Sequence, residues 1–435
     1  MTDVSGKRLL VLGAGGVTVG SEESLVRIAQ QMGAYVIVTD SRHDWSQAPA
    51  KPIADEAWDI SWSDVDALAK LCRERRVDGV LAGFSEHKVL CAARLCDVLG
   101  LPFYAAGADL ETLFDKARFL AACEEVGVPV PRRYCLGAHI DYPVVVKPVD
   151  AEGSRGVFVC LNEGEMSDAL RAAREASRSG ELEIEEYVAA DEAFFYYLVV
   201  DGRASLVASC DLCALEGGEG SLRVPVATRY PSVHERAFLK NDDAVYQRLI
   251  SSLGIRDGLI GFQCFVRGGR ALVHDPTYRL DGSALANVMF HDAGTNAARL
   301  LIHHSLTGRL GPADELGRLL DRARRSFQLY LGIELREGVV ARLCGPSDAS
   351  EVEGALFLRR MVEVGDCVDL AAPVFKRTAY SVGLCASGEE ELERRVARLY
   401  DSVRVVGEAG EDLTVRIDPH ALVTRCTYGE KDVLG

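Results

Sequence analysis

An apolar strand that ends in a lysine and runs at once into a glycine- and serine-containing turn can hold a polyphosphate. The run Val144-Val145-Val146-Lys147-Pro148-Val149-Asp150-Ala151-Glu152-Gly153-Ser154-Arg155-Gly156-Val157 has that form. Its apolar half predicts a buried strand that delivers Lys147 to the strand end. Gly153 and Gly156 have no side chains, so their backbone amides can approach phosphate oxygens closely. The order differs from a P-loop, where the glycines precede the lysine and a helix follows directly. Taken alone, the same run also suits a solvated hairpin with a lysine at its end.

Two further clusters carry chemistry-bearing residue types. Gly13-Ala14-Gly15-Gly16 follows a strand and Asp40 ends the next one, the arrangement of a dinucleotide-binding turn with a ribose-binding acid, although the third glycine position falls on Thr18. Cys210-Asp211-Leu212-Cys213 has metal-type spacing, but no second such pair accompanies it, so packing thiols are the expectation.

The elements that must position these residues change character along the chain. Up to Ala106, strands RLLVLGA, AYVIVTD, DGVLAGF and LPFYA alternate with the helices SEESLVRIAQQMG, DVDALAKLCRERR and HKVLCAARLCDVLG. That rhythm predicts a parallel sheet with helical crossovers. DLETLFDKARFLAACEEVG reads as two helical runs closed by Gly127, and prolines in VPVPRRY bar further helix. Strands then come at shorter intervals: YPVVVKPV, VFVCL, LEIEEYV and AFFYYLVV, with the helix EMSDALRAAREASR among them, as in an antiparallel α+β sheet. GLIGFQCFV and RALVHD are joined by Arg267-Gly268-Gly269, a hairpin signal. The helix TNAARLLIHHSLTG follows. The strands GVVARLCG, RRMVEVG and TAYSVGLCAS and the helix GEEELERRVARLYDSV then predict a small closing α+β unit.

Composition bounds the function classes. The 435 residues are 48% hydrophobic and 26% charged, and the formal net charge is −16. The acids are scattered over helical stretches, as on a solvated surface, and no basic footprint for nucleic acid is present. No window approaches the roughly 20 apolar residues that cross a bilayer, and the first residues run directly into a strand, so a cytoplasmic protein is expected. The 13 cysteines sit mostly in apolar segments such as LCAARLC and FQCFV, as reduced core thiols do.

Strand-Lys-Pro followed by Gly-Ser-x-Gly resembles the ATP-grasp superfamily, which includes biotin carboxylase, carbamoyl phosphate synthetase, D-alanine:D-alanine ligase and amino-acid ligases. The resemblance implies an N-terminal parallel α/β domain over 1–108, an α+β ATP-grasp fold over 109–325 and a C-terminal α+β closing domain over 326–435. It implies that ATP phosphates are held by Lys116, in Asp115-Lys116-Ala117-Arg118, by Lys147, and by Gly153, Ser154, Arg155 and Gly156. Ile184-Glu185-Glu186-Tyr187-Val188 is similar to the linker that holds adenine: one glutamate accepts from the exocyclic amine, and backbone groups near Tyr187 and Val188 read the ring edge. Glu192 stands where a carboxylate accepts from the ribose hydroxyls. Asp275-Pro276-Thr277-Tyr278-Arg279 resembles the Glu-x-Asn-x-Arg pattern whose oxygens bind Mg2+, with Mn2+ as the alternative ion, and whose arginine is catalytic. Thr277 replaces the usual Asn, and Gln263 replaces a second Glu, leaving one protein carboxylate, Asp275, at the metal.

The implied reaction is attack of a substrate carboxylate on the γ-phosphoryl group, giving an acyl phosphate that an amine displaces. Arg279 and Lys147 are the expected catalytic residues, because such transfer depends on positioning and charge neutralisation. For the substrates, small carboxylates and amines, the candidate residues are Arg229 and Tyr230 in the segment 223–232, Arg279, and Gly282. His274, next to Asp275, is expected to point away from the metal by strand alternation. The alternatives are a carbamoyl phosphate synthetase-like kinase, a non-catalytic nucleotide sensor, and a nicotinamide-dependent oxidoreductase using the Gly13–Gly16 turn. A homodimer is left open.

Overall fold

Strands Arg8–Leu12 (β1), Tyr35–Thr39 (β2), Glu56–Trp58 (β3) and Gly79–Leu81 (β4) form the parallel sheet the rhythm predicts, in the order β3-β2-β1-β4. The structure, a computed structural model, describes residues 3–15, 21–149, 156–216, 223–280, 291–321, 326–370 and 376–434. Helices Glu22–Gln31 (α1), Val65–Arg75 (α2) and Glu86–Leu99 (α3) are the crossovers. α1 begins at a capping box in which Ser21 and Ser24 satisfy each other's backbone amides. LPFYA is not a strand. Phe103 and Tyr104 are buried nonetheless, because Tyr104 packs edge-on against Tyr278 and donates its hydroxyl to the Tyr278 carbonyl at 3.1 Å.

The two helical runs that follow are Leu110–Phe114 (α4) and Lys116–Val126 (α5), split at Asp115, whose carboxylate caps α5 by accepting from Arg118 N. Arg133–Tyr134 (β5), Val144–Pro148 (β6), Phe158–Cys160 (β7) and Leu182–Glu186 (β8) make an antiparallel sheet in the order β5-β8-β6-β7. Helix Glu163–Ala176 (α6) covers one face, where its Ala169 and Ala173 cluster with Val144, Val146 and Ile184. Alternation then puts Lys147, Glu183 and Glu185 on the other face.

Asp191–Val200 (β9), Arg203–Leu215 (β10), Val224–Tyr230 (β11), Gly258–Arg267 (β12) and Arg270–Thr277 (β13) begin the largest sheet, and β12 and β13 form the expected hairpin. Gly268 and Gly269 make its turn with φ of +60° and +74°, a region that favours glycine. The C-terminal strands are Phe327–Glu334 (β14), Gly338–Cys344 (β15), Ala355–Arg360 (β16), Cys367–Val368 (β17), Thr378–Ala386 (β18), Arg404–Gly407 (β19), Arg416–Ile417 (β20), Thr427–Tyr428 (β21) and Val433–Leu434 (β22). Of these, β14, β18 and β16 extend the large sheet, whose order is β13-β12-β9-β10-β11-β14-β18-β16 with β21 beside β10. β11 pairs with β14 from Ala227↔Leu331 to Tyr230↔Gln328, so one sheet continues across position 325. RRMVEVG is strand only through Arg360. Among the described residues, no helix is long and apolar enough to cross a membrane.

Candidate functional site

Lys147, Glu185 and Glu186 lie in one cluster and Lys116, Gln263, Asp275, Thr277 and Glu192 in a second, and the linker 187–190 carries the chain from β8 into β9. On β6, Lys147 is 11% exposed and its Nζ lies 2.6 Å from Glu185 Oε2 and 3.4 Å from Glu183 Oε2. Burial works against the ammonium charge, but Glu185 and Glu183 outweigh it and hold Lys147 above its ordinary 10.5. Burial, with Glu185 adding to it, pushes the Glu183 carboxyl above its ordinary 4.5 against the pull of Lys147. Glu185 Oε1 is buried with no hydrogen-bond partner among the described residues, so one acceptor oxygen is left for a ligand donor.

Glu186 and Glu185 divide their roles. Arg267, at the end of β12, grips both Glu186 oxygens at 2.8 and 3.0 Å and holds that carboxyl below its usual range, and Arg132 N adds a bond of 2.9 Å. Glu186 therefore ties the small sheet to the hairpin, and Glu185 is the glutamate with a free oxygen. Tyr187 N donates to the Pro143 carbonyl and the Val188 carbonyl accepts from Ala190 N, which fixes the linker's path.

The second cluster lies at the far end of the hairpin. Lys116, the first residue of α5, places Nζ 3.5 Å from Asp275 Oδ1, with side chains 30% and 43% exposed. Asp275 stands opposite Gln263 across β12 and β13. The Thr277 hydroxyl is buried without a hydrogen-bond partner among the described residues. Gly261 lies opposite Thr277, and a Cβ there would come 2.5 Å from Tyr196 and 2.8 Å from Thr277, so glycine makes room for the site floor.

His274 corrects the alternation argument. The ladder shifts register between Gln263 and Cys264, leaving His274 as the extra residue of a β-bulge. A bulge re-aims the side chain it carries. His274 accordingly stacks on Phe265 with ring centroids 4.3 Å apart, and its Nε2 lies 3.3 Å from Glu192 Oε1. Gln263 donates its amide to the same Glu192 oxygen. Burial raises the Glu192 carboxyl, yet His274 and Gln263 prevail and hold it below its usual value. Glu192 is thus engaged by side-chain partners, with side-chain exposure of 25%.

Arg279 follows two residues after Thr277 and faces the N-terminal sheet. Its Nε donates to Glu86 Oε1 at 2.6 Å, and its Nη1 to the Leu280 carbonyl at 3.2 Å. Tethers on both sides fix its backbone: Tyr278 donates its hydroxyl to the Tyr104 and Asp257 carbonyls, and the Leu280 carbonyl accepts from Phe84 N at 2.8 Å. Sequence reasoning missed Glu86, Tyr104 and Phe84. The one available signal was Ser85-Glu86 at the start of a helix directly after a strand, where α/β sheets present functional groups.

The remaining candidates fall elsewhere. Arg229, a candidate for binding a substrate carboxylate, is 2% exposed on β11, bonded to Asp211 Oδ2 at 2.8 Å and to the Val423 carbonyl. It is a buried clasp on the C-terminal segment, and the structure does not bring it to either cluster. Tyr230 is buried beside it at 4% exposure. Gly156 has φ of +74°, and a Cβ there would meet Ala176 at 2.6 Å, so it closes the turn against α6. Gly153, Ser154, Arg155 and Gly282 lie outside the described residues. In the dinucleotide-type turn, a Cβ on Gly13 would lie 2.5 Å from Lys88 Nζ, which is paired with Glu22. Asp40 accepts from Arg42 Nε and Nη2 at 3.1 and 3.2 Å, and Gly16 of the turn lies outside the described residues.

Comparison with known proteins bears on the fold. The ATP-grasp N-terminal domain family matches residues 26–103, and the carbamoyl-phosphate synthase L chain, ATP binding domain family matches residues 116–216. The chain is 24% identical over 279 residues to the N-terminal section of the carbamoyl phosphate synthase large chain of Methanopyrus kandleri, covering 58% of this chain and 48% of that protein. It is 24% identical over 275 residues to the formate-dependent phosphoribosylglycinamide formyltransferase of Wolinella succinogenes, covering 60% and 66%. The matched stretch therefore spans about half to two thirds of these relatives. Among solved structures, L-amino acid ligase from Bacillus licheniformis superposes with TM-score 0.73 at 16% identity, over 93% of this chain and 99% of that one. The biotin carboxylase domain of Hydrogenobacter thermophilus 2-oxoglutarate carboxylase, solved with MgADP, ADP and bicarbonate, gives TM-score 0.67 at 18% identity, over 94% and 91%. The fold is the ATP-grasp fold. The two matched stretches meet between α3 and α5, where the parallel sheet gives way to the antiparallel ones.

Proposed function

We propose that the chain is an ATP- and Mg2+-dependent ligase that activates a small carboxylate as an acyl phosphate and passes it to an amine. The observation that carries this reading is the meeting of Lys116 with Asp275 at 3.5 Å: a cation for phosphate and an oxygen ligand for metal, brought together from distant parts of the chain. The donor set suits magnesium, since Asp275, the orphaned Thr277 hydroxyl and the Gln263 amide oxygen are all hard oxygens. Bound there, Mg2+ would neutralise charge on the β- and γ-phosphates.

The chain's own residues supply the rest. Lys147, held charged by its glutamates, and Lys116 bind the phosphate tail from the two clusters. Glu185, through its free oxygen, accepts from the adenine amine beside the linker 187–190. Arg279, oriented by Glu86, neutralises the carboxylate as it attacks the γ-phosphoryl group, and its tethered backbone keeps that geometry fixed.

A phosphate-release screen over pairs of amino acids and small carboxylates, with magnesium and manganese compared, tests the proposal. Release that depends on a carboxylate and is abolished in Lys147→Ala and Arg279→Ala is the expected result. ATP binding with no carboxylate-dependent release would instead mark a nucleotide sensor.

A further inference from the structure

Behind the adenine linker, three side chains from distant segments converge on one point. Asp191 opens β9, His234 precedes helix Glu235–Asn241, and Cys426 leads into β21. Their ligand atoms, Asp191 Oδ2, His234 Nε2 and Cys426 Sγ among them, all lie within 4.8 Å of one another, and the carboxylate and imidazole are 3.1 Å apart.

Backbone pairing fixes each of the three. Asp191 is in register with Val266 of β12. His234 N donates to Ser232 Oγ at 3.0 Å, and Asp211 accepts from Ser232 Oγ and Val233 N. The Cys426 carbonyl accepts from Ala214 N at 3.0 Å, next to the parallel pairing of β10 with β21. Arg229 Nη2 sits 3.4 Å from Cys426 Sγ but is paired with Asp211 at 2.8 Å. Asp191 and His234 form one ion pair and Asp211 and Arg229 another, so a divalent ion would take the place of the protons that the imidazole and the Cys426 thiol carry.

We propose that Asp191, His234 and Cys426 bind a borderline-soft divalent ion of the zinc class, clamping the start of β9 to the C-terminal segment. One oxygen, one imidazole nitrogen and one thiolate form a donor set that suits zinc, while magnesium prefers oxygen alone. Binding expels two protons to solvent, one from the Cys426 thiol and one from the His234 imidazolium that is paired with Asp191 in the metal-free chain. Cys213, hydrogen-bonded to the Cys426 thiol, stands at hand as a further donor. The site is separate from the proposed magnesium site, which is built from Asp275, Gln263 and Thr277.

The test uses the full chain, stripped with a chelator and titrated with zinc and with cobalt(II). The expected result is one tightly bound equivalent and a thiolate-to-cobalt charge-transfer band, both lost in Cys426→Ser and in His234→Gln. The band reports sulfur ligation, so cobalt at an all-oxygen magnesium site does not imitate it. If Cys426→Ser fails to fold, Asp191→Asn and His234→Gln serve, each expected to weaken zinc binding at least tenfold. No band at stoichiometric cobalt, or a band undiminished in His234→Gln and Asp191→Asn, overturns the proposal and leaves Asp191 and His234 as a simple ion pair.

Discussion

Lys147 and Lys116 bring the same charge to the proposed nucleotide site from opposite surroundings. Lys147 is nearly enclosed, at 11% exposure, between two glutamates on the adjacent strand. Lys116 stands at a helix start, 30% exposed, with one aspartate at 3.5 Å. The first cluster has more carboxylate than ammonium and stays in place without a ligand. The second is balanced, loosely held and open to one. A buried ion pair costs much to break, whereas an exposed pair at long range contributes little to stability. One lysine therefore carries part of the fold's stability, and the other contributes little to it.

The largest effect that would sharpen this contrast is on stability. Lys147→Met leaves two buried carboxylates without their cation and should cost about 3–5 kcal/mol in urea unfolding. Adding Glu185→Gln should recover a large part of that loss, because the partners are coupled. A loss below about 1 kcal/mol would break the comparison. Lys116→Ala should leave stability within about 1 kcal/mol and weaken calorimetric binding of a non-hydrolysable magnesium ATP analogue by about 1.5–3 kcal/mol, the worth of a charged hydrogen bond. Unchanged affinity would remove Lys116 from the site.

A smaller effect is expected at Glu86→Gln, which releases Arg279 without removing it. Stability should move by less than about 1 kcal/mol, while turnover falls and nucleotide affinity holds. Equal loss of both would mean that Glu86 acts on the fold.

The smallest effect is a pH dependence. The Glu183 carboxyl is pushed above 4.5 in the folded chain by burial and by Glu185. Folding then binds a proton, so this group's contribution is fully present below pH 4.5 and is lost as pH rises through the folded value. Glu183→Gln should match the parent chain in strongly acid solution and become relatively more stable above pH 4.5. Parallel stability curves for the two proteins would remove Glu183 from the buried cluster.

Much of this arrangement was legible because the controlling forces are local. The alternation in β6 and β8 put Lys147, Glu183 and Glu185 on one face, and the Gly268-Gly269 pair announced the β12–β13 hairpin. What stayed hidden depends on distant partners. His274 turned toward Glu192 because of a bulge that sequence alternation cannot register. Arg229 looked like a substrate ligand, since its counter-charge, Asp211, lies on another strand. Leu101–Ala105 looked like a strand because burial against Tyr278 imitates strand patterning. Glu86 carried no signal of its meeting with Arg279, a contact that exists only once the parallel sheet docks on the end of β13.

The central claim is that the chain makes an acyl phosphate from a carboxylate and ATP, and oxygen transfer tests it most directly. With the substrate found by the phosphate-release screen, labelled with heavy oxygen in its carboxylate, the account predicts that one labelled oxygen appears in the released phosphate. Phosphate released without label, at full rate, would contradict it.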